Sequence, residues 1–216
     1  MNLLISILPT IFILIYIYYK DTIKKEPTRM LWKVFFWGAL LVIPAGFLES
    51  NWWINPQGNT PYDLFLLSFF NIAIIEEGLK FLVFYRLIWN GYKAYDENYD
   101  GIVYAVFISL GFATVENIFY VWSYGFQTGV VRALTAVPLH TVCGIIMGQY
   151  LSYARFRPQK KTISFIKALV YPIVIHGLYN FLIFLEHGIF SVVVFPILVL
   201  FYYRLGLNSI DKLSGS

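Results

Sequence analysis

Seven stretches of the chain are continuously apolar, at roughly 3–19, 31–48, 64–88, 101–122, 130–153, 163–185 and 189–203. About 20 apolar residues cross the hydrocarbon of a bilayer, so each stretch is expected to form a membrane helix. The connections between them are short and hold the charged and turn-forming residues, which leaves no room for a second folded unit. The pattern predicts an all-α, polytopic transmembrane helical bundle of about seven helices, with residues 1–216 forming a single domain.

Spacing of four keeps residues on one side of a helix. In the fourth segment this rule collects Gly101, Ala105, Ser109, Ala113 and Asn117 into a stripe of small residues, and in the fifth it collects His140, Gly144, Gly148 and Ser152. Such stripes let helix backbones approach closely in lipid, so His140, and Glu116 on the neighbouring row with Asp100, Tyr104, Ile108 and Phe112, should point into the bundle. His176 and Asn180 share a face of the sixth segment. Pro138 and Pro172 are expected to bend the helices near the two histidines. Asp96, Glu97 and Asp100 are expected in solvent, with Asp100 an N-cap for the fourth helix. The outer connection from Glu49 to Tyr62 carries Trp52 and Trp53 and reads as an interfacial aromatic anchor with a tight turn, or alternatively as a wall of a substrate entry.

Composition removes the soluble alternatives. The chain is 59% hydrophobic and 20% aromatic, with 13% charged residues, about half the charged fraction usual in soluble domains. A net charge of +4 would suit an anionic partner, but the cations border alternate connections: Lys20, Lys24, Lys25, Arg29 and Lys33 the first, Arg86 and Lys93 the third, Arg155, Arg157, Lys160, Lys161 and Lys167 the fifth, Arg204 and Lys212 the C-terminal end. These are membrane flanks facing lipid headgroups and not a nucleic-acid surface, and only Arg132 flanks a connection on the opposite side. The positive-inside rule then places the N-terminus outside and the C-terminus in the cytoplasm. The first segment has no basic residue before it and no small-residue cleavage pattern, so it is expected to be a retained anchor. The single cysteine, Cys143, excludes an internal disulfide and reads as a core residue.

Against this apolar background six side chains stand out. Glu76, Glu77 and Lys80 lie in the middle of the third segment, and Glu116, His140 and His176 lie inside three others. A charged side chain at the bilayer centre costs about 2.5–3.5 kcal/mol on insertion scales, so buried acids there point to a functional site. Counting helical rise from the segment ends gives overlapping depths, which predicts one polar cavity toward the outer half of the membrane. Adjacent carboxylates diverge by about 100° on a helix; one of Glu76 and Glu77 can pair with Lys80 while the other faces the cavity as a general base toward water. Histidine and Asn180 can share in activating water or donate to an oxyanion. No GxSxG or HExxH motif is present. Open alternatives are a divalent metal such as zinc held by the same Glu and His side chains, a proton-coupled transporter, and a membrane receptor or scaffold without catalysis. No similarity between the two halves supports the transporter.

At these residues the chain resembles the PrsW family of bacterial intramembrane proteases, themselves similar to the CAAX-processing and bacteriocin-immunity glutamate proteases. The matching stretches are IIEEGLK (Ile74 to Lys80), DENYDGIVYAVFISLGFATVENIFY (Asp96 to Tyr120), RALTAVPLHTVCGIIMG (Arg132 to Gly148) and HGLYN (His176 to Asn180), with KDTIKKEP (Lys20 to Pro27) similar to the family's first cytoplasmic connection. The resemblance implies a multi-pass protein of the bacterial plasma membrane. Its implied activity is the first, extracytoplasmic cut in a single-pass, membrane-spanning anti-sigma factor. Glu76 and Glu77 match the EExxK motif, and the resemblance implies that one of them activates water without a cofactor, with Lys80 as a structural ion-pair partner. His140 is implied to belong to the site, and His176 and Asn180, as an HxxxN element, to hold the oxyanion. Glu116 ends an FxxxE stretch where the wider superfamily has His, a departure that bears on its role.

Overall fold

The structure is a computed structural model that describes residues 2–51 and 58–185 and, beyond them, positions 200, 204, 207, 208 and 210. The described residues form helices and no strand: α1 (Asn2–Lys20), α2 (Thr28–Leu40), α3 (Val42–Asn51), α4 (Pro61–Leu66), α5 (Ile74–Phe84), α6 (Asp100–Tyr124), α7 (Phe126–Leu134), α8 (Ala136–Phe156) and α9 (Lys161–Phe184). Two wide, π-helical stretches, Leu67–Ala73 and Tyr85–Trp89, flank α5 and join it to its surroundings without a break. Four stretches are long and apolar enough to cross a membrane: Thr28–Asn51, Asp100–Tyr124, Phe126–Phe156 and Pro158–Phe184. The expected segment at 189–203 lies outside the described residues, as do Trp52 and Trp53.

Helix α6 is the centre of the bundle. Its residues are buried from Asp100 to Thr114, and α1, α2 and α8 all pack against it. Close approach makes this possible: a Cβ at Gly148 would strike the backbone of Gly101 and Ile102, and one at Gly38 would strike the carbonyl of Ile108. The small stripes of α6 and α8 thus face each other, and the Gly144/Gly148 pair serves a contact inside the chain. The outside of the bundle is apolar instead, with Phe12, Trp32, Phe36, Phe47, Phe119 and Trp122 all exposed. That surface suits lipid and not water.

Proline sets the breaks, and it sets them differently from the sequence expectation. Pro44 lacks an N–H and its ring crowds the carbonyl of Leu40, so the second segment is divided at Leu41 into α2 and α3. Pro138 acts likewise on Leu134: the fifth segment, expected as one helix from about 130, is divided at Thr135 into the short α7 and the long α8. Pro172, by contrast, sits inside an unbroken α9. The buried thiol of Cys143 lies 3.7 Å from the Pro172 carbonyl, a helix contact that fits a core role.

The first and third connections meet at one end, where Lys24 pairs with Asp96, and Arg155 at the end of α8 donates to the carbonyl of Trp89. The basic residues therefore gather at one end of the bundle, and Arg132 lies at the other. At the basic end one expectation is overturned. Asp100 is not solvated but fully buried, and its Oδ2 caps the connection before it by accepting from the backbone of Asp96 (2.9 Å) and Glu97 (2.7 Å). The Asp100 carboxylate thus satisfies backbone donors of the turn before the helix.

Candidate active site

Glu76, Glu77 and Lys80 lie on the inward side of α5, where all three are buried. The π-helical turn preceding them, a device often found at functional sites, is pinned from both sides. Asn71 donates to the carbonyl of Glu49 at the end of α3 (3.0 Å), and Phe69 fills the space beside Gly177 on α9.

Lys80 is the hub. Its ammonium lies 3.2 Å from Glu76 Oε2, 2.8 Å from Glu77 Oε1 and 3.0 Å from His140 Nδ1, and it sits 4.3 Å over the ring of Phe112. An ammonium has three protons and no acceptor, so these three partners exhaust it. Because it can only donate, His140 must accept at Nδ1, which puts the imidazole proton on Nε2. That nitrogen in turn donates to Glu116 Oε2 at 3.0 Å. Arg132 Nη2 donates to the same Glu116 oxygen, also at 3.0 Å. His176 completes the group: its Nδ1 lies 2.9 Å from Glu77 Oε1 and 4.0 Å from Glu76 Oε2, and its ring stands edge-on to that of His140 with centroids 5.0 Å apart.

The two adjacent acids divide as their divergence on the helix requires. Glu77 is fully enclosed, bonded to Lys80 and His176, with Oε2 left without a partner. Glu76 reaches a cavity of about 220 Å³ lined also by Glu49, Phe112, Glu116, Arg132 and Asn180. That volume holds several waters or part of an extended peptide. Asn180 stands at the cavity one turn beyond His176, while the two histidines lie behind it. All six residues singled out in the sequence therefore join one assembly, and Asn180 borders its open space.

Two groups escaped the sequence analysis. Arg132 was read as a flank, yet it turns inward to Glu116 and to Asn117 Oδ1 (3.2 Å); the signal was its isolation as the one cation bordering a connection on that side. Glu49 was placed at the start of a surface connection but lines the cavity. It stands four residues after the buried Ala45, which was the available clue.

Glu76, Glu77, His140 and His176 each offer a ligand atom, and the four atoms lie within 4.8 Å of one another. In donor type they fit a zinc-class ion. In geometry they do not, because the Lys80 ammonium fills the point where three of them converge and its charge opposes a dication.

A family described as PrsW family intramembrane metalloprotease matches residues 26–204. A protein named Protease PrsW from Oceanobacillus iheyensis is 38% identical over 205 residues, covering 93% of this chain and 92% of that one. Proteins of the same name from Bacillus subtilis and Clostridioides difficile are 38% identical over 179 residues (82% and 80% covered) and 30% identical over 215 residues (97% and 90% covered). No solved structure matches the chain. Both the family match and the relatives span most of the sequence, and the chain belongs to the PrsW family of multi-pass membrane peptidases.

Proposed function

We propose that this protein is an intramembrane endopeptidase that makes the first, extracytoplasmic cut in a single-pass membrane-spanning anti-sigma factor, with water as the nucleophile and Glu76 as the base. The observation that carries this reading is that Glu76 alone of the Lys80-bound acids borders the cavity. Water there would give its proton to Glu76 as it attacks the scissile carbonyl, and Glu76 would return the proton to the leaving amine. Glu77 holds Lys80 and His176 in place. Asn180, which borders the cavity one turn beyond His176, would donate to the tetrahedral oxyanion. Glu116, clamped by Arg132, fixes the His140 tautomer that receives Lys80. The choice of an anti-sigma factor as substrate rests on the family resemblance alone.

A second reading makes Glu76, Glu77, His140 and His176 ligands of a zinc-class metal. Their convergence favours it, and it requires Lys80 to leave its place. Purified protein in detergent micelles, given a peptide spanning the transmembrane region of such a substrate, separates the readings. Cleavage abolished by Glu76→Gln and indifferent to a strong chelator is the expected result. Full cleavage by Glu76→Gln would overturn the assignment of the base, and loss on chelation with recovery on zinc would transfer the case to the metal reading.

A further inference from the structure

At the opposite end from the cavity, two connections bring together a second set of buried carboxylates. Asp21 and Glu26 come from the turn between α1 and α2, and Asp96, Glu97, Asn98 and Asp100 from the turn leading into α6. Asp21, Glu26 and Asp100 are 1%, 2% and 0% exposed. Glu26 and Asp100 lie within hydrogen-bond reach of one another, although both offer carboxyl groups.

The bonding account of this pocket does not close. Asp21 Oδ2, Glu26 Oε2 and Asp100 Oδ1 have no partner, and Glu97 Oε2 and Asn98 Oδ1 beside them have none either. All five atoms are acceptors. The nearby lysines are committed: Lys24 pairs with Asp96, and Lys25 donates to the backbone carbonyls of Tyr18 and Asp21. The second oxygen of Asp100 is held by two backbone donors, which aims its carboxylate and leaves Oδ1 bare. A buried acceptor without a donor forfeits the hydrogen bonds that water would give it, so these oxygens together call for a shared source of positive charge. A proton between Glu26 and Asp100 would serve two oxygens at most.

We infer that Asp21, Glu26 and Asp100 form a binding site for a hard divalent cation of the magnesium class, which ties the first connection to the start of α6. The donors are all oxygens, the set that suits magnesium, calcium or manganese and not zinc or copper. No three of these carboxylates converge as tightly as the donors at the candidate active site. An ion that keeps part of its water shell and takes only one or two carboxylates directly, as magnesium does, needs no such tight convergence.

The test uses the full-length protein in detergent, freed of metal with a chelator and titrated with Mn²⁺ as a paramagnetic probe against Mg²⁺ as competitor. Wild type should bind one Mn²⁺ that Mg²⁺ displaces. Glu26→Gln and Asp100→Asn should each weaken that binding by about ten-fold or more through the lost ligand charge, and His176→Ala should leave it unchanged. Unaltered binding by Glu26→Gln, or binding abolished only by His176→Ala, would overturn the proposal. So would a wild type that binds no Mn²⁺, which would leave a shared proton as the sole occupant. Should Asp100→Asn fail to fold, Glu26→Gln and Asp21→Asn decide the matter.

Discussion

Inside the bundle Glu76 and Glu77 share the ammonium of Lys80, and Glu116 is held between Arg132 and His140. At the basic end, Asp21, Glu26 and Asp100 are as little exposed, and each keeps a bare oxygen as Glu77 does, but the neighbouring Lys24 and Lys25 are turned to Asp96 and to backbone carbonyls. The difference follows from what each environment can lend. Hydrocarbon supplies no ions, so a carboxylate at membrane depth must have its countercharge built into the chain. The connections between helices border water, where a dissolved cation can be recruited instead. The first cluster is accordingly fixed in composition, whereas the second is open to exchange.

The largest expected effects come from breaking the internal cluster. Glu76→Gln keeps size but removes the proposed base, and cleavage of a membrane-anchored substrate should fall by about 10²–10⁴-fold, the range general-base catalysis contributes. The protein should still accumulate in the membrane, which quantitative blotting of membrane fractions checks. Lys80→Met tests stability rather than chemistry. Removing one partner of a buried ion pair costs about 3–5 kcal/mol, here with two acids left facing each other, and thermal unfolding in detergent should register it. Adding Glu77→Gln to Lys80→Met should recover part of that loss. If the double variant is no more stable than the single one, the acids are not what Lys80 holds.

Arg132→Ala should have a smaller effect. It leaves the Lys80 hub intact but releases Glu116, and with it the orientation of His140; partners that orient catalytic groups are typically worth about 10–100-fold in activity. Arg132→Lys restores charge without the guanidinium geometry and should recover only part. A fall in turnover with unchanged substrate affinity would mark a positioning role, and a fall in affinity alone would instead make Arg132 a substrate contact.

Much of this arrangement could be read from the chain. Ionisable groups inside apolar runs are so costly that Glu76, Glu77, Lys80, Glu116, His140 and His176 announced themselves, and the small stripes at Gly101 and Gly148 foretold which helices would touch. What periodicity could not supply was any break or burial set by a neighbour. The division at Thr135 depends on whether the chain bends at Pro138 or absorbs it as α9 absorbs Pro172, and that is decided by packing. Asp100 read as a surface cap because it sits among polar residues. It is buried because the first connection, distant in sequence, folds over it and brings Glu26. Arg132 was misread for the complementary reason: a cation near a helix end is usually a flank, and only the fold brings it to Glu116.

The smallest effect, and the one that sharpens the comparison most, concerns Glu26. Its carboxyl titrates near the ordinary 4.5 in the unfolded chain and is pushed up to about 9 in the folded one, first by burial and then by the charges of Asp100, Asp21 and Asp96. Lys24 also faces Glu26 but is paired with Asp96 and does not outweigh this, and Lys25 is turned to backbone carbonyls. A group whose folded pKa is raised binds its proton more tightly in the folded state, so its stabilising contribution is complete below about pH 4.5 and disappears as pH rises toward about 9. Metal-free protein should therefore lose thermal stability steadily between those values, and Glu26→Gln should flatten that part of the profile. Mg²⁺ should flatten it too, by binding the deprotonated pocket and replacing the proton as it leaves. The acids around Lys80 should show no such response to Mg²⁺, because their countercharge is already bound to the chain. A pH profile in which Mg²⁺ and Glu26→Gln each leave the slope untouched would mean that the bare oxygens at the basic end are satisfied by water alone, and the contrast between the two clusters would reduce to one of depth.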